Sequence, residues 1–444
     1  GLQTQAGAGT LITAVGGGVA LSGGSSIEAA HDVKISSEET LDLANATVQS
    51  TAGKVELDGL AGIVAKDATL LAAKEVTVEA NENIEVSNST VKAASLAITA
   101  AQNLTGTGLE GTITGAAELT AGENLVLDSA DLSGGTVSAV AAQGLSARGA
   151  ALNATKGTLT LKAEAADIDA SGATLTAKDE VKLTAKQSIT ATEASVEADS
   201  LTMTAETGSV EASDFMATVA GQALVEAGDS VTLDNAELTA GALTATAKKG
   251  NLSVKDAEVT TKTGGVTLTA EAADIDASCV NLTAVGAATL TAGQDLKLAP
   301  SGDAVASVTA KSLSATAGGA LDASRLQVAV KEASAFRSNG LLTLTDANVS
   351  GGSLRAEGDA GVEGSRITVD VTGNGYNEGD RGDYEGVVTF KSSKGPVTLT
   401  GADVKADKGD FFARSEGDLN VETAGFKIQD GGLGFKSTGG NLTL

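Results

Sequence analysis

Two pairs of aspartates, Asp167/Asp169 and Asp274/Asp276, are the residues whose type and spacing come nearest to catalysis. Cleavage of a glycosidic bond uses two carboxyl groups, one as acid and one as base or nucleophile. Each pair flanks an isoleucine expected to point inward, so both carboxylates face outward, about 7 Å apart by strand rise. Neither pair has a nearby His or Arg, and the pair recurs inside a repeat, which reads as surface charge copied with that repeat. The single histidine, His31, lies in a turn-like His-Asp beside Val33, and one histidine excludes a triad or a His-metal site. Cys279 reads as a small turn residue, and a lone cysteine excludes an internal disulfide framework. Gly16, Gly17 and Gly18 lack the Lys-Ser/Thr of a phosphate loop and read as a turn. The sequence therefore assigns no catalytic, cofactor-binding or metal-binding residue, and the chain is expected not to be an enzyme.

The most distinctive stretch is 373–386, Gly-Asn-Gly-Tyr-Asn-Glu-Gly-Asp-Arg-Gly-Asp-Tyr-Glu-Gly, which holds both tyrosines. It breaks the repeat register and is expected to project as a surface loop open to proteolysis. Arg381, Gly382 and Asp383 match the integrin-recognition tripeptide, a candidate receptor-binding element, since loops on rigid scaffolds often carry recognition. Glu378, Asp380, Asp383 and Glu385 gather carboxylates there, but their spacing fits no calcium loop. Eight Asn-x-Ser/Thr triplets occur, among them Asn103, Asn281 and Asn441. They read as the product of an outward-inward-outward pattern, not as glycosylation sites.

The elements that must position these residues are repeats. Glu164–Ser171 and Glu271–Ser278 both read EAADIDAS, and residues 157–177 and 264–284 agree at 15 of 21 positions. Ile168, Ile189, Val210, Val231, Leu252 and Ile275 recur at 21 to 23 residues; Leu175, Val196, Ala217, Leu238, Val259 and Leu282 do the same. A third series, Leu161, Leu183, Met203, Val225, Ala245 and Leu268, wanders by a residue or two. Within each segment apolar and polar residues alternate, as in Leu159-Thr-Leu161-Lys-Ala163, which predicts a strand with one buried face. Three strands of three to five residues in about 21 cannot make a sandwich, but they make one rung of a coil whose apolar face is buried only by stacking.

Extending the Leu175 series outward gives Val19, Leu41, Ile63, Ile84, Leu104, Leu125 and Leu145, then Leu296, Leu321, Leu342, Val362, Val397, Leu419 and Leu442. The expected fold is all-β: a right-handed, single-stranded parallel β-helix of about 20 rungs, the hand following from the crossover rule. At about 4.8 Å per strand such a coil would be roughly 95 Å long. Residues 1–371 form the regular shaft, 372–389 an inserted loop, and 390–444 Phe-enriched terminal rungs of the same solenoid. Those last rungs hold Phe390, Phe411, Phe412, Phe426 and Phe435 and are expected to be wider or to carry a distinct surface.

Composition limits the partners. With 57 acidic and 30 basic residues the net charge is −27, which argues against nucleic acid. No stretch approaches the apolar length of a membrane span, and no signal peptide is visible. Trp is absent while Ala, Val, Leu and Ile carry a 42% hydrophobic share, enough for many thin layers.

Coils such as GTLTLKAEAADIDASGATLTA and DEVKLTAKQSITATEASVEA resemble the haemagglutinin repeats of filamentous haemagglutinin-type exoproteins of two-partner secretion systems. The resemblance implies a right-handed β-helix that is exported to the bacterial cell surface and holds adhesive or toxic modules away from the cell. The family's Asn-Pro motifs are missing, since Pro300 and Pro396 are the only prolines and neither follows Asn. The expected function is a structural shaft of a secreted surface fibre or adhesin, with no cofactor. Its expected partners are other copies or flanking segments end to end, and a host or neighbouring-cell surface. A last rung left incomplete at Asn441–Leu444 predicts either a continuing chain or head-to-tail stacking into filaments. The alternative is a polysaccharide-binding or polysaccharide-cleaving β-helix. That reading requires outward Asp stacked with Arg, Lys or aromatics on successive rungs, which the sequence does not reveal.

Overall fold

Period-two alternation in Thr- and Val-rich segments produces strands, and the computed structural model, which describes residues 3–21, 23–300, 304–373 and 387–444, contains sixty strands and no helix among them. The chain divides into two compact units, Gly1–Ala212 with Met216–Ala220, and Ser213–Phe215 with Gly221–Leu444. Each is a parallel β-solenoid, and together they hold about 20 turns of roughly 21 residues.

Every turn contributes one strand to each of three sheets, called here A, B and C. In one turn Leu159–Ala163 lies in sheet B, Ile168–Asp169 in sheet C and Thr174–Ala177 in sheet A. The next turn stacks in register: Leu161 on Leu183, Ile168 on Ile189, Leu175 on Val196. The three spacing series are thus three interior columns, and their members are buried. Sheet C strands are shorter than expected, two residues in most turns, because a tight turn follows at once.

One assignment changes. Val19, Leu41, Ile63, Ile84, Leu104, Leu125 and Leu145 do not continue the Leu175 column; they pair in sequence up to Ile168, in sheet C. Leu296, Leu321, Leu342 and Val362 follow Ile275 in the same sheet. The two columns run in parallel with a constant offset (168 to 175, 189 to 196, 252 to 259), so spacing alone cannot separate them.

That constant offset has a local cause. Ala173 N–H donates to Ala170 O at 3.1 Å, closing a four-residue turn whose third residue, Gly172, has φ +65°. The same left-handed position recurs at Asn45, Asp67, Asn88, Gly108, Ser129, Gly149 and Glu193, and in the second unit at Asn235, Asp256, Cys279 and Arg366. Positive φ at the third residue is the mark of a type II turn, which favours Gly and Asn. This accounts for Cys279, a small turn residue as expected, and makes Glu193 a poor choice. A left-handed non-glycine residue costs about 1–2 kcal/mol, partly offset by glycine's extra unfolded-state freedom, about 0.5–1 kcal/mol. Glu193→Gly should therefore raise the urea midpoint, by a net stabilisation of about 0.5–1 kcal/mol; an unchanged or lowered midpoint would show that the turn tolerates glutamate without strain.

The aromatic enrichment after residue 387 fills the interior. One inward column of sheet B reads Ala315, Phe336, Ala356, Phe390, Ala413, Phe435 on successive turns. Large and small residues alternate along this column, so each ring can spread over the small residue of the neighbouring turn and keep the interior close-packed. The adjacent column places Phe411 with its ring centroid 6.0 Å from Phe390, 4.7 Å from Phe426 and 5.6 Å from Phe435. Among these phenylalanines Phe412 alone faces outward, beside Gly434.

The register break near 373–386 falls at the corner between sheet A strand Thr368–Val371 and sheet B strand Val388–Lys391. Residues 374–386, with Arg381, Gly382, Asp383 and the neighbouring carboxylates, lie outside the described residues.

Candidate functional site

Both aspartate pairs flank a buried isoleucine, Ile168 or Ile275, and both members face outward as the alternation requires. The first member of each pair belongs to a ladder along the corner before sheet C. Asp167 Oδ1 accepts the Ser188 N–H of the next turn at 2.7 Å. In the second unit Asn251 Oδ1 accepts Asp274 N–H (3.2 Å), Asp274 accepts Asp295 N–H (2.9 Å), and Asp295 accepts Ala320 N–H (2.7 Å). The second member folds onto its own turn: Asp169 Oδ1 accepts Ser171 N–H at 3.1 Å, and Asp276 does the same with Ser278. This is the Asx-turn geometry that short carboxylates adopt.

The expectation that no Arg lies near either pair is overturned. Arg148, one turn before Asp169, brings Nε to 3.8 Å from its Oδ2, and Lys255 stands 3.5 Å from Asp276 in the matching place. Sequence distance hid both because parallel stacking joins residues a full turn apart. Arg148 is also held by Asp128 on the preceding turn, at 3.0 Å. Burial alone would raise the Asp128 carboxyl, but hydrogen bonds from Ser146 and Arg148 and the Arg148 charge outweigh it and hold it below the usual carboxylate range.

In the second unit these positions line a groove of about 420 Å³ on the outside of sheet C. Its charged lining is Asp274, Asp276, Asp295 and Asp322 with Lys255 and Lys297. Register explains the assembly, since Ser253, Asp276, Lys297 and Asp322 are successive partners in sheet C. The stacked Asp and Lys that the sequence did not reveal are therefore present, and the signal that would have found them is the spacing 255, 276, 297. What the arrangement can do is hold a polar ligand by hydrogen bonds and charge. Its carboxylates already serve the backbone, one oxygen each, at Asp274, Asp276 and Asp295.

The remaining candidates resolve simply. His31 is exposed, its carbonyl accepts Ser50 Oγ at 2.6 Å, and the following Asp32 carboxylate accepts Lys54 N–H at 3.0 Å. Asn103 is committed at both ends: its Nδ2 donates to Asn83 Oδ1 (3.0 Å) and Glu123 Oε2 (2.9 Å), while its Oδ1 accepts Asn124 N–H (3.1 Å). Asn281 Oδ1 accepts Ser307 Oγ at 2.8 Å. Among the described residues no group of three or more His, Cys, Asp or Glu is placed to hold a metal ion. No helix among them is long and apolar enough to cross a membrane.

A feature missed in the sequence lies on the outside of sheet B in the second unit. Arg337, Glu357, Lys391, Arg414 and Lys436 form one outward column, with Arg355 beside it. Glu357 is the hub: Arg355 Nη2 lies at 2.7 Å, Arg337 Nε at 3.3 Å and Lys391 Nζ at 3.5 Å from its oxygens. Burial pushes its carboxyl up, but the Arg355 hydrogen bond and the three positive charges outweigh burial and hold it low.

No family model, no curated protein and no solved structure matches this chain.

Proposed function

We propose that this chain is a structural shaft segment of a secreted bacterial surface fibre, of the filamentous haemagglutinin type that its repeats resemble, and that it carries other modules away from the cell. The observation that supports this reading is the ladder: outward Asn and Asp residues spend their oxygens on the backbone of the next turn. Such a surface maintains register along many similar turns and leaves the chemistry to other modules. The export route and the fibre's receptor follow from the resemblance and belong to the proposal.

A polysaccharide-binding or -cleaving role is the second reading, favoured by the Asp and Lys groove on sheet C. One pair of measurements separates them. Immunogold microscopy of the source cells with antibodies to this chain should place label outside the envelope, at a distance from the membrane. The purified chain should release no reducing ends from pectin-like or other acidic glycans. Label confined to the cytoplasm would overturn the shaft reading; glycan cleavage that disappears in Asp274→Asn/Asp276→Asn would establish the alternative.

A further inference from the structure

We infer that the outer face of sheet B from Arg337 to Lys436 is a binding surface for a linear anionic polysaccharide, one that carries carboxylate or sulfate groups along its length. The face stands out against its surroundings. On the two preceding turns of the same sheet the outward residues are Thr289, Thr291, Ser314 and Thr316, all uncharged. From the next turn onward the same two columns carry Arg337, then Arg355 and Glu357, then Lys391, Arg414 and Lys436. Five cations against one carboxylate, in a chain of net charge −27, is a local reversal of sign.

Glu357 neutralises only part of this charge, and its three cationic neighbours keep between 34% and 54% of their side-chain surface open. Arg414, two turns on, has no carboxylate partner among the described residues. Parallel stacking sets the cations at about one strand spacing, 4.8 Å, per turn, so the column runs straight for roughly 20 Å. A straight, narrow line of charge fits a single extended polyanion lying along the stacking direction. Phe412, in the neighbouring column that also holds Arg355, adds an apolar platform beside the line. A Cβ on Gly434 would lie 2.2 Å from Phe412 Cε1, so the ring rests directly against the glycine of the next turn. An aromatic ring beside cations suits a sugar, which offers an apolar ring face between its charged groups.

Nucleic acid fits less well. A single strand is held by stacking successive bases on aromatic side chains, and this face offers one. A duplex needs a broad positive footprint, whereas this face offers a single narrow line of cations. The inference goes beyond the shaft reading and does not rest on it: glycan titration tests one, surface labelling the other.

The test is a titration of the full chain with dextran sulfate, polygalacturonate, neutral dextran and a DNA duplex, each at low and at moderate salt. Dextran sulfate or polygalacturonate should bind, with affinity falling steeply as salt rises; neutral dextran should not. Lys391→Gln/Arg414→Gln should weaken binding about tenfold or more, because two of the five contacts are lost. Lys182→Glu, on sheet B of the first unit, should leave binding unchanged. Circular dichroism melts of each variant verify that the fold is intact, and Arg414→Gln alone, which breaks no described ion pair, should still weaken binding. Unchanged affinity in these variants, equal binding of neutral dextran, or tighter binding of the duplex would overturn the inference. So would glycan binding that appears only after deletion of 374–386, which would assign the basic face to the chain's own acidic segment.

Discussion

Phe411→Ala should be among the most destabilising single substitutions in the second unit, costing about 3–5 kcal/mol. Phe411 is fully buried and its ring lies within 6.0 Å of Phe390, Phe426 and Phe435. Removing it leaves a cavity lined by three rings that are fixed to strands of a stacked register and cannot close in. The cost combines lost transfer energy, the cavity, and aromatic pair terms of about 0.5–1.5 kcal/mol each. In a repeat architecture stability is close to a sum of nearest-neighbour terms, so the loss should be local. Hydrogen exchange should show fast opening across 388–437 while residues 33–205 keep their protection. Uniform loss of protection in both units would show a cooperative block larger than nearest-neighbour coupling allows. A loss under about 1 kcal/mol would show that the rings repack.

Gly395→Ala should be comparably severe for a different reason. A Cβ at Gly395 would lie 1.7 Å from the Ala360 carbonyl oxygen and 2.4 Å from its carbon. These are backbone atoms of the preceding turn, which cannot rotate away as a side chain could. The turns would have to separate at this corner, straining the hydrogen bond from Val362 N–H to Pro396 O, now 3.0 Å. A loss of about 3 kcal/mol or more is expected. Gly17→Ala is the matched control. Nothing lies within 4 Å of a Cβ at Gly17, its φ is not positive, and the substitution should be neutral or stabilising by up to about 1 kcal/mol. Urea melts of the two variants decide the matter. Equal effects would mean that corner glycines are selected for flexibility and not for space.

Much of the architecture was legible because a solenoid writes its geometry into spacing. Alternation gave the strands, and recurrence near 21 residues gave the stacking. Leu161, Ile168 and Leu175 were placed inward from the sequence and are buried. The misassigned outward series shows where that logic ends: two columns with the same period differ only in phase, and phase is decided by the turn between them. The Asp groove and the basic face were missed for the same reason. Each joins residues a full turn apart in sequence and about 4.8 Å apart in space, so neighbours along the chain gave no hint of Arg148 beside Asp169.

The sequence by itself determined the strand pattern and the stacking period, because these depend on local alternation and on recurrence that each segment carries alone. Only the tertiary structure decided which outward side chains meet. The corners between sheets A and B and between sheets B and C vary in length, and each added residue shifts the phase of the outward faces. Hydrogen bonding between turns then fixes that phase. In the last turns the result sets Lys391 over Glu357 and Arg414 over Lys391, a juxtaposition that exists only once the coil has closed on itself turn by turn.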